Sequence, residues 1–437
     1  MRIHVDKQQS VYDELWSPME ETLDSNLPEF IRHYLMHEGA DIKQNDIYYY
    51  LKEKVENSNT IEYLTDLFKF SSYYKKLINP NLEGNNQIKK YLDRLNKIEV
   101  TTAYPLLLNL YNKLDKHIIS ESDFVKMLQI IENYLIRLFV CGRATNQLNK
   151  VFPVVISQLD KKYQDDYVEG LKAILQTKGY PRDIEFKKRI MDSKLYGAGN
   201  RNIKTKLILE SIEEHFGHKE PVAFGELTIE HIMPQKFSDW WKSYYGEDWD
   251  SNQELYVHTI GNLTLTAYNQ ELSNSDYYTK QKFYAESHIE LNEYFSTIDE
   301  WHPEDIERRS QKLAAKMLEI WPYFGSEDLE TEIDDVTGKT PQSLYILGQN
   351  ISVKSWRDVL VNTLDTIADI EPEKYEIIIR EYAKFLGIGN NKFRQARPLK
   401  NGTLIEVNNS ANRVQKFCNQ VMETIDLSSE ELKIKTN

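Results

Sequence analysis

The sequence predicts a mainly α-helical chain: a helical N-terminal body, then a short strand–strand–helix element, then a small α/β module. Three observations predict it. Through the first half, apolar residues recur at helical spacing; between 122 and 140, Leu128, Ile131, Leu135 and Leu138 form one stripe. Residues 217–325 then change character, with Pro221, Pro234, Gly246 and Gly261, short β-like runs and five of the seven tryptophans. Beyond them, the stretch 325–341 carries six Asp/Glu against one Lys and has no apolar period, the composition of a linker.

Taken in order, residues 1–216 read as packed helices. Apolar stripes in 10–78, 86–118, 145–177 and 200–216 are separated by breaks such as Asn79-Pro80 and Gly179-Tyr180-Pro181. No fixed period appears, so a solenoid is not supported. Tyr48-Tyr49-Tyr50 and Tyr73-Tyr74 can either stack on bases or pack half-buried on helices, the more common use of tyrosine there. Residues 217–325 form the second part, 326–341 an acidic linker expected to be a flexible hinge, and 342–437 the C-terminal module. In that module Trp356, Leu360, Leu364 and Ile367 mark one helix and 375–385 a second. Asn401-Gly402, between two extended runs, predicts a hairpin, and a last helix follows Ser410.

Composition bounds the function. At 437 residues the chain exceeds one ordinary core. Apolar runs stay below the roughly 18 residues a membrane span needs, and MRIHVDKQQS at the start is no signal peptide and would fit a fragment boundary. Two cysteines far apart, Cys141 and Cys418, exclude a cysteine-rich zinc ribbon or a disulfide framework and fit a reducing cytoplasm. The net charge of −14 disfavours a protein that coats nucleic acid. Two segments reverse it locally: 182–206 has eight Lys/Arg against three Asp/Glu, and 388–416 six against one. Each is either a solvated face or a grip on phosphate. Lys187, Lys188, Arg189 and Arg201 are the candidates in the first, and Lys392, Arg394, Arg397 and Lys400 in the second.

The chemistry concentrates between 227 and 285. LTIEHIMPQKF reads as a strand ended by Pro234; HTIGNLTLTAYNQELSN and DYYTKQKFYAE come after it as loop, β-like piece and helix. Phosphodiester hydrolysis needs an activated water, a cation at the developing charge and a stabilised leaving oxygen. A neutral imidazole serves as general base. A hard divalent cation takes oxygen ligands such as a carboxylate and an amide carbonyl. Glu230 beside His231 offers ligand and base together, Asn269 a second oxygen, and Asn262 a side chain able to fix the connecting loop. Lys280 is either a phosphate contact or a solvated lysine, and His258 and His288 read as bystanders.

These residues resemble the HNH (His-Me finger, ββα-metal) nuclease domain of the GmrSD-type modification-dependent, type IV restriction endonucleases. The resemblance rests on Glu230-His231-Ile232-Met233-Pro234-Gln235, Gly261-Asn262-Leu263-Thr264-Leu265, Asn269, Ser273-Asn274 and Lys280. It continues through Trp301, Ile306, Arg308 or Arg309 and Trp321. The same order of acid-His, Asn, Asn is similar to the HNH domain of CRISPR effector nucleases. The resemblance implies His231 as base, Glu230 and Asn269 as metal ligands and Asn262 as the structural asparagine. Asn269 stands where many HNH nucleases have a second histidine, which shifts the expected metal toward Mg²⁺ or Mn²⁺. It further implies nucleotide-stimulated cleavage of modified phage DNA. The first two hundred residues resemble the same enzymes more loosely, through VYDELWSPMEETL. Neither a DGQQR-type signature nor a P-loop is found, so a ParB-like nucleotide-sensing partner or upstream domain is expected. The expectation is thus a metal-dependent endonuclease acting on double-stranded DNA. Its rivals are a catalytically silent scaffold or regulatory subunit of a defence complex, and an RNase or toxin of the same fold.

Overall fold

The computed structural model describes residues 5–437 except 57, 146–147, 219–221, 326–335, 337, 384, 388–392, 394 and 428–430. The chain is mainly helical, 66% helix and 8% strand, and no helix of the described residues is long and apolar enough to cross a membrane. It divides into two units: Met1–Leu138 with Ala144–Tyr180 and Phe324–Ser326, and Phe139–Arg143 with Pro181–Tyr323 and Glu327–Asn437.

The first unit is built of helices whose apolar stripes meet. Asn59 and Asn85 cap the helices Thr60–Ile78 and Asn86–Ile98 by accepting from backbone N–H groups. Helix Tyr104–Asp115 is buried almost all round, and Phe30, Leu67, Phe70, Leu92, Phe124 and Ile131 are among the other buried apolar side chains of this unit. A buried bidentate pair joins Arg94 to Glu132 at 2.7 and 2.8 Å. Tyr73 and Tyr74 belong to this core, Tyr73 stacked on Tyr111, whereas Tyr48, Tyr49 and Tyr50 are exposed.

In the second unit, helices α1 (Asp183–Asp192) and α2 (Arg201–His215) precede strand β1 (Thr228–His231). Helices α3 (Asp239–Tyr245) and α4 (Trp249–Tyr256) come next, then strand β2 (Leu263–Thr266). The two strands are antiparallel, with Glu230 opposite Thr264 and His231 opposite Leu263. A short turn of helix, Asn269–Leu272, leads to α5 (Tyr277–Ala285), and the long α6 (Pro303–Ile320) lies across α1, α2 and the turn before β2.

The C-terminal residues belong to this same unit. Strands β3 (Pro341–Ile346) and β4 (Gln349–Ser352) form a sheet whose other edge is the terminal strand Leu432–Thr436. Two helices, Trp356–Ile370 and Pro372–Glu381, pack with a third, Ala411–Thr424, over it. The Asn401-Gly402 hairpin is present: Arg397 pairs with Ile405, Leu399 N–H donates to Thr403 O at 2.8 Å, and Gly402 takes φ +86°. Of the expected hinge, 326–341, residues 326–335 and 337 lie outside the described residues; within it Val336 is buried, and Pro341 already begins β3.

Apolar residues of the strand–strand–helix region and of this module form one continuous core, from Ile232, Trp241 and Trp301 to Leu364, Phe417 and Val421. Polar ties reinforce it. Lys416, fully buried, donates to Met191 O at 2.8 Å; Gln420 donates to Asp192 O and Leu255 O; Arg189 pairs with Glu423 at 3.2 Å. Thus α1 is assigned to the second unit, not to the helical body that its sequence position suggests.

One close approach sets a residue type. A Cβ on Gly261 would lie 2.2 Å from Ile306 O and 2.3 Å from Ser310 Oγ, both on α6. Gly261→Ala is therefore expected to push α6 away and cost about 1–3 kcal/mol of stability, the usual penalty of overpacking. A thermal or denaturant melt of the variant against the parent protein measures it; equal midpoints would contradict the close packing.

Candidate active site

Strand β1 carries Glu230 and His231 into a buried setting, 3% and 5% exposed. The segment just beyond the strand is fixed by Asn262, itself fully buried. Its Oδ1 accepts from Met233 N–H at 2.7 Å and from the Trp301 indole N–H at 3.0 Å. Its Nδ2 donates to Met233 O at 2.9 Å and Val257 O at 3.0 Å. A backbone bond from Ile232 N–H to Asn262 O, 3.0 Å, extends the ladder past the strand's end. One amide side chain therefore holds the chain just after His231 and just before His258. Arg309 braces the other side of this turn, donating to Gly261 O at 2.9 Å and Leu263 O at 2.6 Å. Burial pushes its guanidinium down to about 10, still charged near neutrality.

His231 faces His258, with Nε2 3.3 Å from the Nδ1 of His258. Its own Nδ1 is 3.4 Å from Gln235 Nε2. Tyr196 meets His231 edge-on at 4.6 Å and lies along His258 at 5.5 Å. Burial, with His258 and the Lys280 ammonium adding to it, pushes the His231 imidazole down to about 3. Burial, with Lys194 and Arg201 adding to it, pushes His258 down to about 4. Both rings are neutral near pH 7 and keep a lone pair.

Glu230 is held by Lys280, whose ammonium lies 2.5 Å from its Oε1 and 2.7 Å from His231 O. Burial raises the Glu230 carboxyl above its usual value against the pull of Lys280, and burial likewise lowers the Lys280 ammonium against the pull of Glu230. Asn269, on the helical turn after β2, donates its Nδ2 to Thr228 Oγ1 at 3.2 Å and Ile229 O at 3.1 Å. Its nitrogen thus faces β1.

A carboxylate and an amide oxygen are donors of the kind a hard divalent ion such as Mg²⁺ or Mn²⁺ takes when water and phosphate complete the shell. Among the described residues no three His, Cys, Asp or Glu side chains come together as a metal cage.

The structure thus brings Glu230, His231, Asn262, Asn269 and Lys280 into one neighbourhood, but gives Lys280 a different place from the one expected. Its side chain has no exposure, so the ammonium is directed to Glu230 rather than to a surface phosphate. Arg189 departs in the same way: it is buried and ion-paired to Glu423. Arg201, 42% exposed, reaches Lys194 O and Glu423. Lys187 and Lys188 are half-buried on α1. Arg397 is exposed and 3.2 Å from Asp358, while Arg394 and Lys392 lie outside the described residues. Sequence reasoning missed His258, Tyr196 and the Trp301 indole. His258 precedes Gly261-Asn262 by three residues, and only its nearness to that loop could have singled it out.

Residues 180–316 match the family described as GmrSD restriction endonucleases, C-terminal domain. The chain is also 27% identical over 214 residues to the arginine–tRNA ligase of Methanocaldococcus jannaschii, across 46% of this chain and 34% of that protein. It therefore spans about a third of the ligase's length.

Replacing Asn262 removes four buried hydrogen bonds and leaves the Met233 and Trp301 N–H groups and the carbonyls of Met233 and Val257 unsatisfied. Asn262→Ala is expected to destabilise the unit by several kcal/mol, at about 1–3 kcal/mol per buried group left unpaired. Chemical denaturation checks this. A loss under about 1 kcal/mol would mean the loop does not depend on the amide.

Proposed function

We propose, from the match of residues 180–316 to the C-terminal domain of the GmrSD restriction endonucleases, that this chain is an HNH-type, metal-dependent endonuclease that hydrolyses DNA with His231 as general base. The observation that carries the reading is the buried His231 imidazole next to the buried Glu230 carboxylate at the end of β1, with its backbone clamped by Asn262.

In this reading a ring nitrogen of His231 takes the proton of an attacking water. The water oxygen forms its bond to phosphorus, the bond to the leaving sugar oxygen breaks, and that oxygen takes a proton from solvent. A basicity held down to about 3 is low for this task, but a phosphodiester anion brought beside the ring favours its protonated form and raises it. A bound Mg²⁺ or Mn²⁺ supplies Lewis-acid stabilisation of the phosphate charge, with Glu230 and Asn269 as its oxygen donors. Lys280 holds Glu230 and the His231 carbonyl in register, a positioning role. The substrate we propose is double-stranded DNA, modified phage DNA in particular, with a ParB-like nucleotide-sensing chain or domain as partner.

Two outcomes test the chemistry. Incubation with plasmid DNA and with RNA, each with Mg²⁺ and Mn²⁺, should give metal-dependent cleavage of DNA. Cutting of RNA alone would make it a ribonuclease, and no cutting of either with the partner supplied would make it a silent subunit. His231→Ala is expected to slow cleavage by about 10²–10⁴-fold, the usual worth of a general base, with DNA affinity nearly unchanged. Cleavage at the parent rate would move the base elsewhere.

Of the basic segments, we propose that Lys187 and Lys188 contact phosphate, being partly exposed on α1. The double variant Lys187→Glu, Lys188→Glu should weaken DNA binding and lower the slope of log affinity against log salt by about one unit for each phosphate no longer engaged. An unchanged slope would route the DNA elsewhere.

A further inference from the structure

We propose that His258 is a positioning residue for the endonuclease chemistry: it accepts the Nε2 proton of His231 and so presents the bare Nδ1 of His231 to the attacking water. The inference rests on the reading of His231 as the base.

Three observations carry it. The first is the 3.3 Å approach of His231 Nε2 to His258 Nδ1. Two ring nitrogens facing each other at that distance must share one proton, so one is donor and the other acceptor. The second is the contact at the opposite nitrogen, where Gln235 Nε2 lies 3.4 Å from His231 Nδ1. An amide nitrogen donates, so His231 Nδ1 accepts and its proton sits on Nε2, directed at His258. Both contacts are satisfied by the same tautomer. Gln235, an exposed residue, also stands where the O–H of a water would stand to be deprotonated. The third is how His258 is held. Asn262 bonds to Val257 O immediately before it, Tyr196 N–H donates to His258 O at 3.3 Å, and the Tyr196 ring lies along its imidazole. The side chain that fixes the backbone of the base therefore fixes its partner as well.

The consequence is chemical. Which nitrogen of an imidazole carries the proton is set by the bond the other makes. Without an acceptor at Nε2, His231 can turn its N–H toward the water and lose the lone pair that the reaction needs. His258 touches neither water nor phosphate in this scheme; it acts through His231.

The experiment pairs two variants with a spectroscopic measurement. His258→Leu removes the acceptor, whereas His258→Asn places an amide oxygen where Nδ1 stood. The leucine variant should lower kcat by about 10–100-fold, the usual effect of losing a partner that orients a working histidine, with KM within about twofold. The asparagine variant should recover most of that loss. In ¹⁵N-histidine-labelled protein, with His231 signals assigned by their disappearance in His231→Ala, the parent and the asparagine variant should show protonated Nε2 and bare Nδ1. The leucine variant should show a mixture of tautomers. Parent-like kcat in His258→Leu, equal losses in both variants, or a parent His231 protonated at Nδ1 would each overturn the proposal. If the parent protein cuts no DNA even with the partner supplied, the reading of His231 as base fails, and the tautomer measurement still decides the His258 contact by itself. Melting curves of both variants show whether a leucine loss reflects folding, in which case the asparagine variant and the parent spectrum carry the decision.

Discussion

The buried side chain of Asn262 is the point on which the second unit's site depends. A strand of four residues has little ladder of its own to hold its end, and the segment beyond it must leave the sheet with its polar groups satisfied. One amide meets that need four times, through Met233 N–H, Met233 O, Val257 O and the Trp301 indole. Gly261 beside it lets α6 come into backbone contact, and Arg309 from that helix binds the carbonyls on either side of Asn262. The turn is therefore over-determined, and a rigid turn is what precise placement of an imidazole requires.

Burial then sets the electrostatics. A buried carboxylate opposite a buried ammonium adds little net stability, because desolvation offsets the attraction, but neither partner can be removed cheaply. Glu230 and Lys280 are such a pair, and the ammonium has a second bond to the His231 carbonyl. The pair thus serves geometry more than stability. Burial, then His258 and the Lys280 ammonium, make the surroundings of His231 unfavourable to a positive charge and hold its imidazole low.

The C-terminal module shows how packing can override composition. An acidic, aperiodic stretch suggested a tethered appendage, yet the module shares a continuous apolar core with the strand–strand–helix region. Basic side chains of the two basic segments are used inside this unit: Arg189, a candidate phosphate contact, answers Glu423, and Lys416 answers the carbonyl of Met191 near the end of α1. Charge counting along a segment cannot tell a grip on DNA from an internal tie, because it does not report which way a side chain points.

The sequence by itself determined the helical body, through its 3.6-residue stripes, and the Asn401-Gly402 hairpin, through the backbone that only such a pair adopts readily. It also determined the order strand, Gly-Asn turn, strand, helix, because Pro234, Gly261 and the β-branched residues between them act locally. Glu230, His231, Asn262 and Asn269 were legible as a set from their order. Only the tertiary structure decided that Lys280 turns inward to Glu230, that Arg189 is an internal ion pair, and that His258 meets His231. Each of those depends on contacts between elements 27 to 234 residues apart in the chain. Such contacts leave no trace in local period or composition, since they are fixed by how helices and strands pack against one another rather than by what any segment prefers alone.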